Sequence, residues 1–142
     1  MSIYDNVQKM LAEIPENITV IAAAKTRNID EVKASIDAGI KHIGENYVQE
    51  LEYITKGLGD YRKKVSMHVI GHLQSNKINK ALEFCDVIQT IDSIKRARKV
   101  NKRVPKFKEQ PLPVLIEVNI ADEDNKDGAA PDFNEIQSIA KA

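Results

Sequence analysis

The stretch Ile18-Thr19-Val20-Ile21-Ala22-Ala23-Ala24-Lys25, followed at once by Thr26-Arg27-Asn28-Ile29-Asp30-Glu31-Val32, decides the fold class. Ile18 to Ala24 is a short apolar run opening with β-branched residues, long enough for a buried strand and too short for a typical helix. Asn28 stands three residues before Glu31, the spacing of a helix N-cap and its returning acid. Ile29, Val32 and Ile36 then form an apolar stripe that ends at Gly39. A strand therefore feeds a helix across a short turn.

The same unit recurs in kind along the chain. Strands are predicted over His42 to Glu45, Met67 to His72 and Val87 to Ile91, with helices opening at Asn46, Ser75 and Ser93. A fifth strand, Pro113 to Ile120, leads to a last helix from Pro131. Ahead of them, Ile3, Val7, Met10, Leu11 and Ile14 keep helical spacing until Pro15. Strands alternating with helices across short connections make a parallel sheet with right-handed crossovers, so the fold class is α/β.

Composition narrows the function classes. The 142 residues carry 21 basic and 21 acidic side chains, a formal net charge of zero, with 42% hydrophobic and 30% charged residues. Such a chain folds, and no overall field draws it to nucleic acid. The basic run Lys95 to Lys108 has only Phe107 as an aromatic, so it reads as the solvated face of a helix, not a base-stacking surface. The start, Met1-Ser2-Ile3-Tyr4-Asp5, lacks the basic region and continuous apolar core of a secretory signal, and no apolar run approaches the roughly 18 residues of a membrane span. Cys85 is alone, which excludes an internal disulfide, reads as a core thiol, and suits the cytoplasm. The acidic stretch Asp122-Glu123-Asp124-Asn125-Lys126-Asp127-Gly128 puts a lysine where a calcium loop needs an oxygen ligand and reads as a surface loop.

Ligands of parallel α/β folds gather at the C-terminal ends of the strands, and those ends are polar here: Lys25, Glu45 and Asn46, His72, Asp92, Asn119. Lys25 follows an apolar strand, and alternation puts it on the side of Ile21 and Ala23. Facing a barrel interior beside the small Ala23, its amine would be desolvated and so suited to attack an aldehyde; the alternative is a lysine that snorkels to water. His68, Ile70 and His72 share one face, and a core histidine satisfied by a hydrogen bond competes with a ligand contact. His68 and His72 cannot chelate one metal, because their alpha carbons stand roughly 13 Å apart on a strand, and no metal site is expected. Asn46 and Gln49 have capping-box spacing, compatible with Asn46 also meeting a ligand. Neither the turn after the first strand nor Gly57-Leu58-Gly59 fits a phosphate-binding glycine loop.

Three runs carry a family likeness: Ala23-Ala24-Lys25-Thr26, Ile43-Gly44-Glu45-Asn46-Tyr47-Val48-Gln49-Glu50, and His68-Val69-Ile70-Gly71-His72-Leu73-Gln74-Ser75-Asn76-Lys77. With Val118-Asn119-Ile120, Lys126 and Gly128, the sequence resembles the pyridoxal phosphate homeostasis protein family, also described as proline synthase co-transcribed. The resemblance implies a (β/α)8 TIM barrel of the alanine racemase N-terminal domain type, of which residues 1–142 supply about five strand-helix units. They would be a single domain, the N-terminal part of a longer barrel that is cut at Ala142. The resemblance also implies pyridoxal 5′-phosphate held as a Schiff base on Lys25, with Asn46 and His68 near it. His72 is not carried over.

Family members are regarded as carriers or regulators in vitamin B6 and amino-acid homeostasis rather than enzymes. The partners implied are the cofactor itself and apoenzymes that accept it, with no nucleic acid or membrane and a monomeric full-length protein. The family's Ser-rich phosphate loop has no counterpart in residues 1–142, which are expected to bind the phosphate poorly alone. Two alternatives remain: a Schiff-base enzyme, racemase-like or aldolase-like, using Lys25; or a complete doubly wound domain of flavodoxin type, which a strand order of 1-2-3-4-5 would reject.

Overall fold

A computed structural model describes residues 1–121 and 123–142, so of the acidic stretch Asp122 lies outside the described residues. Six helices and five strands alternate: α1 (Ile3–Glu13), β1 (Ala22–Ala23), α2 (Ile29–Asp37), β2 (His42–Glu45), α3 (Val48–Leu58), β3 (Ser66–Val69), α4 (Ile78–Phe84), β4 (Val87–Ile91), α5 (Ile94–Arg103), β5 (Val114–Ile116) and α6 (Phe133–Lys141). The strands form one parallel sheet in the order β1-β2-β3-β4-β5. That order rejects the flavodoxin-type alternative, whose first strand lies inside the sheet. Right-handed crossovers that always advance to the next strand put every helix on the same face, the winding of a barrel; what is described is part of one.

The helical face holds the core. Ile43, Met67, Val69 and Ile88 point into it and are essentially buried, packed with Val32, Ile36, Leu51, Ile54, Leu58, Ile78, Ala81 and Leu82. Cys85 is fully buried there, and burial pushes its thiol up to about 11, so it is the inert core thiol expected. The basic run is a helix, α5, that buries Val100 and opens at Ser93, whose side chain accepts from Arg96 N.

Local signals held best where a side chain caps an end. Asn28 accepts from Glu31 N at 2.9 Å and the Glu31 carboxylate accepts from Asn28 N, the expected capping box. Several boundaries are corrected. The first strand is only Ala22–Ala23, because pairing with β2 begins at Ala22↔Ile43. The third ends at Val69, short of His72. A 3₁₀ turn, Ser75–Lys77, precedes α4. The fifth covers only Val114–Ile116, with Val118 meeting Ala129 in an isolated bridge, and the last helix opens at Phe133 under an Asp132 cap. The proposed Asn46–Gln49 capping box is absent: α3 starts at Val48, its N-cap is Tyr47, and no side chain caps it. Asn46 is left free of a capping role.

One side chain ties β3 to the β4 entrance. Asp86 Oδ2 accepts from Met67 N at 2.7 Å and from Arg62 Nη2 at 2.7 Å, while Asp86 N donates to Met67 O at 2.8 Å. Asp86→Ala strands the Met67 amide beside a fully buried side chain, and we expect a loss of about 2 kcal/mol of unfolding free energy by urea titration. A loss below about 0.5 kcal/mol would show the tie to be replaceable.

Candidate functional site

Register fixes the site. Ala23 pairs with Gly44 and Gly44 with His68, and one residue along Glu45 pairs with Val69. Lys25 and Asn46 each stand two residues past the Ala23–Gly44 pair, Lys25 in the turn after β1 and Asn46 in the bend after β2, at the C-terminal edge of the sheet. His68 sits about 7 Å deeper, two residues back along its strand. A β carbon on Gly44 would touch Ile70 and Ile21 side chains, so these three share the face away from the helices. Pairing with Gly44 puts His68 on that face as well, whereas Lys25 lies in the turn beyond β1. Lys25 itself is exposed, which among the described residues fits the lysine that reaches water and not the desolvated amine, the two readings its position allowed.

The turn that presents Lys25 is unusual. Thr26 has φ +64, a left-handed conformation that a β-branched residue rarely takes. The chain reverses there within a single turn, with Arg27 N donating to Ala24 O at 2.9 Å.

Asn46 depends on a glycine. A β carbon at Gly71 would lie 2.3 Å from Asn46 O and 2.8 Å from Asn46 Cα, so the ends of β2 and β3 approach as closely as they do only because residue 71 has no side chain. Asn46, Tyr47, Gly71, His72, Lys77 and Asp127 line one cavity of about 420 Å³. Lys25 is not in that lining, and neither is His68.

His68 is 5% exposed and belongs to a polar row across the barrel face. Gln89 Nε2 lies 3.0 Å from His68 Nδ1, and His68 Nε2 lies 3.1 Å from His42 Nδ1. The amide nitrogen can only donate, so His68 Nδ1 accepts, Nε2 carries the proton and His42 Nδ1 receives it. Burial, with the neighbouring His42 adding to it, holds the His68 imidazole below its ordinary value against the pull of Asp86. This is the satisfied core histidine the sequence allowed for. Sequence reasoning passed over His42 and Gln89, although alternation from Gly44 and Val87 would have put both on the barrel face.

Glu45, read from the sequence as a polar strand end, turns instead to the helical side and meets Glu50. Glu45 is 1% exposed on the helical side, with neither carboxylate oxygen hydrogen-bonded to a donor. Burial first, then the charge and carboxyl contact of Glu50, push Glu45 up to about 7. Together with Ala24, Thr26, Arg27 and Asn28 the two acids line a cavity of about 270 Å³ behind the Lys25 turn. Nothing in Gly44-Glu45-Asn46 marks Glu45 as turned inward except its phase, which matches Ile43.

The whole chain, residues 1–142, matches the family model described as alanine racemase, N-terminal domain. The pyridoxal phosphate homeostasis protein of Pasteurella multocida (strain Pm70) is 37% identical over 142 residues, 98% of this chain and 60% of that one. The protein of that name from Escherichia coli (strain K12) is 39% identical over 121 residues, 80% of this chain and 49% of that one. The chain thus spans between half and three fifths of these relatives' length. PipY of Synechococcus elongatus PCC7942, solved with PLP bound, superposes with a TM-score of 0.85 at 25% identity, covering 99% of this chain and 63% of PipY. Alanine racemase from E. faecalis, at a TM-score of 0.73 and 14% identity over 98% of this chain and 37% of the enzyme, shows the fold.

Two outcomes test this geometry. Gly71→Ala pushes a methyl group into the Asn46 backbone and is expected to cost about 2 kcal/mol or more by urea titration, with no side chain free to give way. For Glu45, the folded-state carboxyl near 7 lies above its ordinary value of 4.5, so between these values the native chain holds a proton that the unfolded chain has released. Its contribution is fully present below about 4.5 and lost as pH rises through about 7. The melting temperature should fall from pH 5 to pH 8, and Glu45→Gln should flatten that fall; an equally steep fall in the variant would refute the assignment.

Proposed function

Because the chain belongs to the alanine racemase N-terminal domain family, we propose that it binds pyridoxal 5′-phosphate on Lys25 and serves vitamin B6 and amino-acid homeostasis as a carrier of that cofactor, not as an enzyme. The observation that supports this reading is Lys25 standing exposed in the turn just after β1, at the same edge of the sheet as Asn46 just after β2. The pyridoxal phosphate homeostasis naming of the relatives and the PLP bound to PipY support the choice of cofactor.

The donor chemistry fits the group. The cofactor supplies an aldehyde, and Lys25 Nζ is the primary amine that condenses with it, releasing water. Asn46, free of any capping role, offers an amide that can both donate and accept beside that amine. His68 would form the floor, contributing a neutral imidazole with both nitrogens engaged rather than a proton donor for catalysis. An exposed lysine leaves its bound carbonyl open to water and to the amine of an acceptor, which favours release over retained chemistry. That is the physical ground for a carrier whose partners are the cofactor and the apoenzymes that receive it, acting as a monomer in the cytoplasm. No helix among the described residues is long and apolar enough to cross a membrane.

Incubation with pyridoxal phosphate followed by borohydride should fix one adduct on Lys25, read by peptide mass spectrometry. Lys25→Ala should lose both the adduct and the visible absorbance. Labelling that persists on another lysine would overturn the assignment, and racemisation of alanine abolished by Lys25→Ala would replace the carrier with an enzyme.

A further inference from the structure

Behind the Lys25 turn, the end of β2 and the start of α3 bring two carboxyl groups together. Glu45 is the last residue of β2 and leaves it on the helical side; Glu50 stands in the first turn of α3 and meets it. Both line the cavity of about 270 Å³ whose walls also include Thr26, Arg27, Asn28 and Tyr53.

Glu45 lacks the partners that burial demands. Its side chain is in a residue only 1% exposed, and Oε1 and Oε2 are both buried without a hydrogen-bond donor, as is Oε2 of Glu50. Among the described residues neither acid takes part in an ion pair. Arg27, on the cavity wall, is paired with Glu31 at 3.4 Å, and Asn28 Oδ1 is taken up by Glu31 N at 2.9 Å. A proton held between the two acids satisfies one oxygen of each and leaves the other Glu45 oxygen without a donor. A carboxylate sealed from water in this way calls for a positive partner, and the described residues supply none.

The cavity itself selects the partner. Its wall offers oxygen, from two carboxylates and the hydroxyl-bearing Thr26 and Tyr53, and neither imidazole nor thiol. That donor set suits a hard divalent ion and not a soft one. A water molecule takes about 30 Å³ in the liquid, so there is room for an ion that keeps several waters, as Mg²⁺ does when one or two carboxylates hold it. Tyr53 is 59% exposed, and Thr26 and Arg27 are exposed too, which leaves a way in from solvent.

We propose that Glu45 and Glu50 bind one partly hydrated Mg²⁺ ion, or Mn²⁺ in its place, in this cavity. Bound there, the ion ties the turn that presents Lys25 to the end of β2 and the start of α3. His68 and His72, whose chelate strand spacing excludes, take no part, and the site does not depend on cofactor binding at Lys25.

Titration of the cofactor-free chain with Mn²⁺ at pH 8, followed by electron paramagnetic resonance, tests the site; that pH lies above the value of about 7 to which Glu45 is pushed. One ion per chain should bind, and Mg²⁺ should displace it. Glu45→Gln and Glu50→Gln should each weaken binding tenfold or more, while Glu13→Gln, exposed at the end of α1, should leave it unchanged. Glu50 is only half-buried, so Glu50→Gln decides the matter even if Glu45→Gln unfolds the chain. Absence of stoichiometric binding, or binding equally strong in Glu50→Gln, would overturn the proposal and leave a hydrogen-bonded pair of acids. A melting temperature raised by methylammonium and not by Mg²⁺ would overturn it as well, in favour of an organic cation.

Discussion

The parallel register that sets Ala23, Gly44 and His68 side by side is the constraint on which the rest depends. It assigns each residue of three strands to one of two environments. Ile43, Met67 and Val69 meet the helices and supply the core; Ile21, Gly44, Ile70 and His68 face the barrel side. The same register brings the ends of β1 and β2 to one edge of the sheet, where Lys25 and Asn46 follow in the turn and the bend beyond them. Slipping the β1–β2 pairing by one residue would exchange the two faces of β1.

Polar groups at this end of the molecule are held in two different ways. Glu45 sits behind the sheet, where burial first and then the neighbouring Glu50 favour the protonated form of its carboxyl. His72 and Asp127 stand at the rim, exposed and 3.3 Å apart, while Asp92 is mostly buried 3.2 Å from Arg96. Acidic side chains in neighbouring strand-end positions therefore meet different surroundings, set by which side of the strand each residue leaves.

Much of this was legible in the chain itself. The alternation of short apolar runs with capped helices gave the α/β class, and the Asn28–Glu31 box was read to the residue because capping needs only local atoms. The order of runs around Lys25, Asn46 and His68 carried the family likeness. What could not be read were features that exist only once strands pair. The close approach of Gly71 to the Asn46 backbone, which leaves no room for a β carbon, involves residues 25 apart, and Asn46 looked like a helix cap because the sequence does not show where α3 begins. The exposure of Lys25 likewise depends on what packs over β1, which no local pattern encodes. Strand five was overlong on paper because Glu117 to Ile120 has strand composition, yet after Glu117 N donates to Ile91 O on β4 the chain turns to meet Ala129.

The row from Gln89 through His68 to His42 has a polarity. An amide nitrogen has no acceptor role, so the direction of every proton in the row is decided on β4 and read out on β2. Rotating one amide by half a turn would present its oxygen instead, move the His68 proton to Nδ1 and make Nε2 the acceptor of a proton from His42. Three neighbouring strands thus share a single tautomeric choice, and a side chain that bears no charge sets it.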